Sequence, residues 1–329
     1  MPPPSPSPPR MAAPSPVPPA ATALTPLVLA CLAATWFVWG STYLAIKLAL
    51  VSFPPFFQMG TRFLAAGALL MAWVAWRGGP WPSRRQWGHA TVVGALMLGG
   101  GMGATAYAEQ SVGSGLVVAF IAVVPLMIAA LNRLWGLRPG RVELAGIGLG
   151  LAGVLMLTQG SGFAASPAGL VAITVACVTW CIGSVLAAPP RAARPEDPAW
   201  RRGLPLAPGA SGFASEMLCG GAFLMGLSVL AGERPAWPPE PQALAAWAYL
   251  VVAGSLIAFN AYMVLLSRAS SALASSYTYV NPVIAMLLGV GFAGEVVSAW
   301  EWTAAGVVLA GVVLLFVGRR RGAASAAAG

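Results

Sequence analysis

Residues 27–50 read LVLACLAATWFVWGSTYLAIKLAL, an unbroken apolar stretch in which Lys47 carries the only charge. A helix needs about 20 mostly apolar residues to cross the hydrocarbon core of a bilayer, and this stretch is longer than that. Nine further apolar runs follow, at about residues 55–76, 88–108, 115–134, 142–157, 167–187, 211–231, 242–266, 272–293 and 299–317. The sequence therefore predicts ten transmembrane helices.

The composition agrees with a surface that faces lipid. Of the 329 residues, 58% are hydrophobic and 8% are charged, whereas a soluble domain carries roughly 25% charged residues. The net charge of +9 could indicate a nucleic-acid partner, but almost every basic residue lies in a loop beside an apolar run. We therefore expect an all-α integral membrane protein with the lipid bilayer as its partner and no nucleic acid.

The loop charges predict the orientation, because Lys and Arg accumulate on the cytoplasmic side. With the N-terminus inside, cytoplasmic segments hold fifteen of the eighteen basic residues, and exterior loops hold only Arg234. Lys47 and Arg62 lie within the first two predicted helices. This alternation predicts a multi-pass protein of the bacterial inner membrane with both termini cytoplasmic.

The two halves of the chain resemble each other. The matches are Trp39-Gly40-Ser41 with Trp180 and Gly183-Ser184, Ala66-Gly67-Ala68 with Gly220-Gly221-Ala222, Pro125 with Pro282, and Gly153-Val154 with Gly311-Val312. Five helices in each half force the second half to lie upside down, which is the inverted-repeat architecture of many secondary transporters. The predicted organisation is a disordered Pro-rich tail (1–26), a first repeat (27–157), a second repeat (158–317) with a cytoplasmic insert at about 188–210, and a cytoplasmic tail (318–329).

No catalytic or cofactor constellation is visible in the sequence. His89 is the only histidine, so neither an HExxH zinc site nor a Ser-His-Asp triad can form. The four cysteines lie inside apolar runs without metal-ligand spacing, and we interpret them as packing residues. We expect no enzyme activity, no metal and no cofactor.

Four stretches carry a resemblance to a known family: WGSTYLAIKLAL (39–50), PPFFQMGTRFLAAGALL (54–70), AEQSVGSGLVVAFIAVVPL (108–126) and WCIGSVLA (180–187). In this order they resemble the EamA-type branch of the drug/metabolite transporter superfamily, from the first helix to the last. The resemblance implies a ten-helix, two-repeat fold that exports or exchanges small metabolites by alternating access. The Pro-rich tail and the insert near residues 188–203 depart from the family pattern.

Ionisable residues inside a membrane are functional candidates because burying a charge there costs roughly 2.5–3.5 kcal/mol. Lys47, Arg62 and Glu109 fall in the same predicted membrane half and could form an outer vestibule for a substrate carboxylate or phosphate. The alternative is a salt bridge that holds helices together. Glu109 could instead carry a coupling proton, and for Glu216 we expect solvation at the inner interface.

Aromatic and polar residues near the membrane centre are the other candidates for substrate binding. Pro125 and Pro282 predict helix breaks, and transporters place their sites at such breaks. The polar run around Pro282 includes Tyr277, Tyr279 and Asn281, which would line a cavity or bond a neighbouring helix. Trp39 and Trp180 could stack on an apolar substrate, with core packing as the alternative.

The predicted function is that of a secondary exporter of small organic metabolites or drugs, with proton coupling as an option and the oligomeric state open. A passive uniporter or channel-like facilitator is the first alternative. A lipid-handling or scaffolding protein is the second.

Overall fold

The computed structural model of the protein describes residues 24–112, 117, 120–135, 139–158, 166–187, 203–293 and 298–327. Residues 1–23 of the predicted N-terminal tail and residues 188–202 of the predicted insert lie outside these residues. The helices are α1 (Pro26–Ala49), α2 (Pro55–Trp76), α3 (Arg84–Ala108), α4 (Val124–Asn132, followed by a 3-10 turn Arg133–Trp135), α5 (Arg141–Thr158), α6 (Pro167–Ala187), α7 (Ala210–Leu230), α8 (Pro241–Arg268), α9 (Tyr277–Ala293, preceded by a short turn Ser271–Ala274) and α10 (Ala299–Ala327).

Among the described residues, six helices are long and apolar enough to cross a membrane, namely α1, α2, α3, α6, α7 and α8. In α10 a shorter apolar helix covers Ala299–Leu315. The predicted all-helical membrane fold is therefore confirmed in this coarser form. The count of ten spans and the inverted repeat stay predictions.

Helix starts follow from local chemistry. The Thr25 hydroxyl accepts a hydrogen bond from the Val28 amide at 3.3 Å, and Pro26 occupies the first turn of α1, where a missing N–H costs nothing. Ser83 and Gln86 form a reciprocal capping box at the start of α3. Such caps satisfy amide groups that would otherwise lack partners.

Glycines let α2 and α7 approach to backbone contact. A Cβ added to Gly67 would lie 3.0 Å from the Leu218 nitrogen, and one added to Gly60 would lie 2.7 Å from the Met225 sulfur. Residue numbers fall along α7 as they rise along α2, so the helices run antiparallel. A second antiparallel pair joins α5 and α10, where Gly311 meets the backbone of Gly150.

Two helices contain long π-helical segments. The segment in α3 covers Ala95–Gly103, and the segment in α8 covers Leu250–Phe259. In a π-helix the amide bonds to the carbonyl five residues earlier, and such segments are frequent at functional sites. These segments were not predicted from the sequence.

The predicted helix breaks lie near the two prolines but not at the same distance from each. A turn at residues 122–123 directly precedes α4, in which Pro125 occupies the first turn. Pro282 instead lies within α9, and the break comes earlier, at Ser275 and Ser276. The Tyr279 amide donates a hydrogen bond to the Ser276 carbonyl at 3.1 Å. This bond between residues three apart is of the 3-10 type and tightens the start of α9.

Candidate functional site

A cavity lies between helices from the two halves of the chain. It encloses about 570 Å³ when its open mouth is included. The described residues that line it are Trp39, Thr42, Tyr43, Ile46, Gly101, Met102, Thr105, Ile121, Val124, Ala176, Cys177, Trp180, Tyr277 and Asn281. None of these is Asp, Glu, Lys, Arg or His.

Four aromatic rings form one cluster at this cavity, which we call the aromatic cluster: Trp39, Trp180, Tyr262 and Tyr277. The Trp39 ring centroid lies 4.6 Å from Tyr277, 5.2 Å from Tyr262 and 5.7 Å from Trp180. Two of these contacts are edge-to-face, an arrangement that adds roughly 0.5–1.5 kcal/mol per pair beyond area burial. Three of the four rings line the cavity, and Tyr262 is fully buried behind them.

Hydrogen bonds fix the aromatic cluster from behind. The Trp39 indole nitrogen donates to the Gly254 carbonyl at 3.3 Å, in the π-helical segment of α8. The Tyr262 hydroxyl lies 3.0 Å from the Ser184 hydroxyl of α6. Since these bonds join α1, α6 and α8, the aromatic wall is held by helices from both halves of the chain.

Helix α9 presents only part of its polar run to the cavity. Tyr277 and Asn281 line it, because residues four apart share one face of a helix. In the amide orientation that satisfies both side-chain atoms, the Asn281 nitrogen donates to the carbonyls of Trp36, at 3.1 Å, and Tyr277, at 3.0 Å. Tyr279 points the other way and packs on Gly150 of α5, whose added Cβ would meet the Tyr279 ring at 2.9 Å.

Lys47 and Glu109 lie next to lining residues, and we call this pair the rim. Lys47 is exposed and follows Ile46. Glu109 lies one helical turn beyond Thr105, whose carbonyl accepts the Glu109 amide at 3.0 Å. Glu109 is half-buried, and its Oε1 is buried without a hydrogen-bond partner in the described part of the chain. The positive charge of Lys47 interacts electrostatically with the Glu109 carboxylate.

Arg62 lies outside the cavity lining and is fully buried. Its Nε donates to the Ser255 hydroxyl at 2.7 Å, and its guanidinium carbon lies 4.9 Å from the Phe63 ring centroid. Its Nη2 has no hydrogen-bond partner among the described residues. The structure thus places Lys47 and Glu109 near each other and Arg62 apart from both, behind the wall that Trp39 and Gly254 form.

The expectation of interfacial solvation for Glu216 is wrong. The side chain is fully buried, and neither carboxyl oxygen has a hydrogen-bond partner within the described ranges. The physical reason is close packing: a Cβ added to Gly94 of α3 would lie 2.6 Å from the Glu216 carbonyl oxygen. Backbone contact at this crossing leaves no room for solvent.

Sequence reasoning missed Tyr43, Met102, Tyr262 and Gly254. Tyr262 carried a signal, since a hydroxyl inside an apolar run needs a partner. Gly254 carried none, because its role depends on its backbone carbonyl, which accepts the Trp39 indole N–H from another helix. Among the described residues, no group of three or more His, Cys, Asp or Glu side chains could hold a metal ion.

Comparisons with known proteins agree with the fold and the family. The EamA-like transporter family matches the chain twice, over residues 25–159 and 167–317. The uncharacterized inner membrane transporter YedA of Escherichia coli strain K12 is 40% identical over 289 residues, which cover 88% of this chain and 90% of YedA. A chloroplastic WAT1-related protein of Arabidopsis thaliana is 26% identical over 297 residues, covering 86% of this chain and 68% of that protein.

One solved crystal structure of a protein that is 22% identical superposes with a TM-score of 0.70, covering 89% of this chain and 98% of the other. This similarity shows a shared fold. Because the family matches both halves, and because the identity to YedA extends along nearly the whole chain, this protein is a membrane protein of the EamA-like transporter family, in the drug/metabolite transporter superfamily.

Proposed function

We propose that the protein is a secondary transporter that exports small organic molecules with a flat, apolar part across the inner membrane by alternating access. The observation that carries this proposal is the aromatic cavity between the two halves of the chain. A site between two repeats is the usual place for a transported substrate. We further propose that the two halves are inverted repeats of five helices each and that both termini are cytoplasmic.

The chemistry of the wall supports an apolar substrate body. Trp39, Trp180 and Tyr277 supply ring surface, and the described lining contains no charged side chain. Large rigid rings gain contact area at a small entropy cost. A flat ring system would therefore bind against the aromatic cluster.

Polar groups in the cavity lining support a polar head on the substrate. Tyr43, Thr105 and Asn281 contribute hydrogen-bonding groups to the wall, and the rim adds one cation and one carboxylate, Lys47 and Glu109. A head group of either sign, or one carrying both, finds a partner there. In this proposal Arg62 is a positioning residue, because it holds Ser255 next to the carbonyl that fixes Trp39.

The test is uptake into proteoliposomes, with solutes paired by head group: phenylalanine with leucine, and phenethylamine with hexylamine. The aromatic member of each pair should enter faster. Trp39 supplies ring surface to the cavity, so Trp39→Ala should remove one ring contact with the solute, worth roughly 0.5–1.5 kcal/mol, and lower uptake by up to about tenfold. Trp237→Ala is the matched control, since Trp237 is 87% exposed and lies outside the lining.

Alternating access is tested by counterflow. Vesicles preloaded with unlabelled solute should accumulate the labelled solute transiently above equilibrium, which a passive channel-like facilitator cannot produce. Equal uptake of aromatic and aliphatic solutes, together with unchanged uptake by Trp39→Ala, would remove the support for the cavity as the substrate site.

A further inference from the structure

We propose that Glu216 is a proton-binding site of this transporter, which holds a proton while α3 and α7 are packed together and releases it when they separate. The inference rests on the proposed transport function for its purpose. It goes beyond that function by assigning the coupled ion and the residue that takes it.

The first step is the position of Glu216. From Ala210 to Glu216 is about 9 Å along α7 at 1.5 Å per residue. Gly94 of α3 meets it at backbone contact, and the first α3 residue in the cavity wall, Gly101, comes seven positions later along the helix. Glu216 therefore lies between the cavity and the end of the bundle where α3 and α7 begin.

The second step is the surroundings of the carboxyl. Glu216 is 0% exposed, and both of its carboxyl oxygens lack a hydrogen-bond partner among the described residues. An ionised carboxylate without water, donor or cation costs several kcal/mol. A protonated carboxyl avoids most of that cost, so the packed conformation is one with a proton on Glu216.

The third step concerns the other titratable and charged groups nearby. The helices packed against α7 are α2, α3 and α8, and their described groups of this kind are Arg62, Arg84, Arg85, His89, Tyr107, Tyr249, Tyr262 and Arg268. None of them bonds to a Glu216 oxygen. The His89 Nδ1 lies 2.9 Å from the Pro205 carbonyl oxygen. On α7 itself, Glu216 interacts electrostatically with the Cys219 thiol.

Arg62 does not neutralise Glu216. Gly60 of α2 meets Met225 and Gly67 meets Leu218, so Arg62 lies level with Phe223 and Glu216 lies level with Leu69. The two charges are thus seven residues apart along the paired helices, or about 10 Å. Each is buried in its own half of the α2–α7 contact.

The fourth step links the proton to motion. The α3–α7 crossing brings glycine onto glycine, since a Cβ added to Gly220 would lie 2.9 Å from the Gly94 carbonyl oxygen. These helices belong to different family matches, 25–159 and 167–317. Rocking of one half against the other, the usual form of alternating access, would open this crossing to water, and only then could Glu216 ionise at low cost.

The direct test is infrared spectroscopy of the full chain in detergent or lipid. The wild type should show the C=O band of a protonated carboxyl at neutral pH, and the band should disappear at high pH. Glu216→Gln should lack most of this band and should melt as the wild type does, because Gln matches the neutral acid in shape. Glu240→Gln, at an exposed carboxyl, is the matched control and should keep the band.

A second test uses the native thiol one helical turn along. In a chain with Cys31, Cys177 and Cys181 replaced by Ala, the labelling rate of Cys219 is measured at a series of pH values. Each rate is divided by the labelling rate of a small free thiol at the same pH, which removes the pH dependence of the reagent. The ratio should change with pH when Glu216 is present and stay flat in Glu216→Gln. No substrate is needed, so both tests can succeed even if the solute panel fails.

Two results would overturn the inference. One is a wild-type spectrum without a protonated carboxyl band at neutral pH, a measurement that needs no variant to fold. The other is a Cys219 labelling profile that is the same with Glu216 and with Gln at that position.

Discussion

Replacing Arg62 by Met distinguishes two roles that Arg62 could have: holding helices together, or positioning the cavity wall. Met fills most of the same volume without a charge. The buried guanidinium has a strong bond to Ser255 at 2.7 Å and a ring contact with Phe63 at 4.9 Å. Within the described ranges, no carboxylate balances its charge.

The expected change in the free energy of unfolding follows from these contacts. Losing a hydrogen bond to a charged group costs about 1.5–3 kcal/mol, and losing the cation–π contact costs about 0.5–2 kcal/mol. Removing a charge from the membrane interior stabilises the folded protein by about 2.5–3.5 kcal/mol. The terms nearly cancel, so Arg62→Met should change the unfolding free energy by no more than about 2.5 kcal/mol.

Ser255→Ala is the informative comparison. It leaves the guanidinium buried with one partner fewer, which costs about 1–3 kcal/mol and more for a charged group. We therefore expect Ser255→Ala to be more destabilising than Arg62→Met, and the double variant to recover most of the loss. Solute uptake should fall in both single variants, because the Arg62–Ser255 bond no longer fixes the segment whose Gly254 carbonyl accepts the Trp39 indole N–H.

The assay is unfolding in mixed micelles with rising SDS, followed by tryptophan fluorescence, alongside uptake into proteoliposomes. A loss above about 4 kcal/mol for Arg62→Met, with Ser255→Ala unchanged, would mean that Arg62 holds helices together through contacts other than Ser255. Parental uptake by Arg62→Met would refute its role in positioning the wall.

Three further predictions concern packing, topology and the break before α4. Gly94→Ala should lower the unfolding free energy by about 1–3 kcal/mol through overpacking, whereas Gly88→Ala, where an added Cβ meets nothing within 4 Å, should be neutral or stabilising; equal effects would contradict the α3–α7 contact. Single cysteines replacing the exposed Gln110 and Ala236 should react with an impermeant thiol reagent in intact cells, and cysteines replacing Arg85 and Gly140 should not; the reverse pattern would invert the proposed orientation. Pro125→Ala allows an added amide bond at the start of α4 and should reduce uptake without preventing folding, and an unchanged rate in vesicles would argue against a role for this break.

Helix positions could be predicted closely from the sequence. The predicted run 167–187 coincides with Pro167–Ala187, and 55–76 coincides with Pro55–Trp76. Length and apolarity decide a span in lipid, and proline at the first turn marks where it begins. Both signals are local, which is why they can be read without tertiary structure.

The candidate site could be predicted only in part. Trp39, Trp180, Tyr277 and Asn281 do line one cavity, although their role in binding stays a prediction. The direction in which each helix faces is set by its neighbours: Tyr279 turns to Gly150, and Arg62 turns to Ser255. Burial of Glu216 could not be foreseen either, because it depends on a glycine 122 positions away in sequence, Gly94.

The two π-helical segments restrict how the length of this chain can vary. Loss of one residue from 95–103 would allow ordinary α-helical bonding, and this change in winding would rotate the rest of α3 relative to its beginning. Gly101, Met102 and Thr105 would then turn away from the cavity. A single-residue gap in this stretch, or in 250–259, would therefore alter the binding surface more than most substitutions, and relatives aligned across either stretch can be sorted by that gap alone.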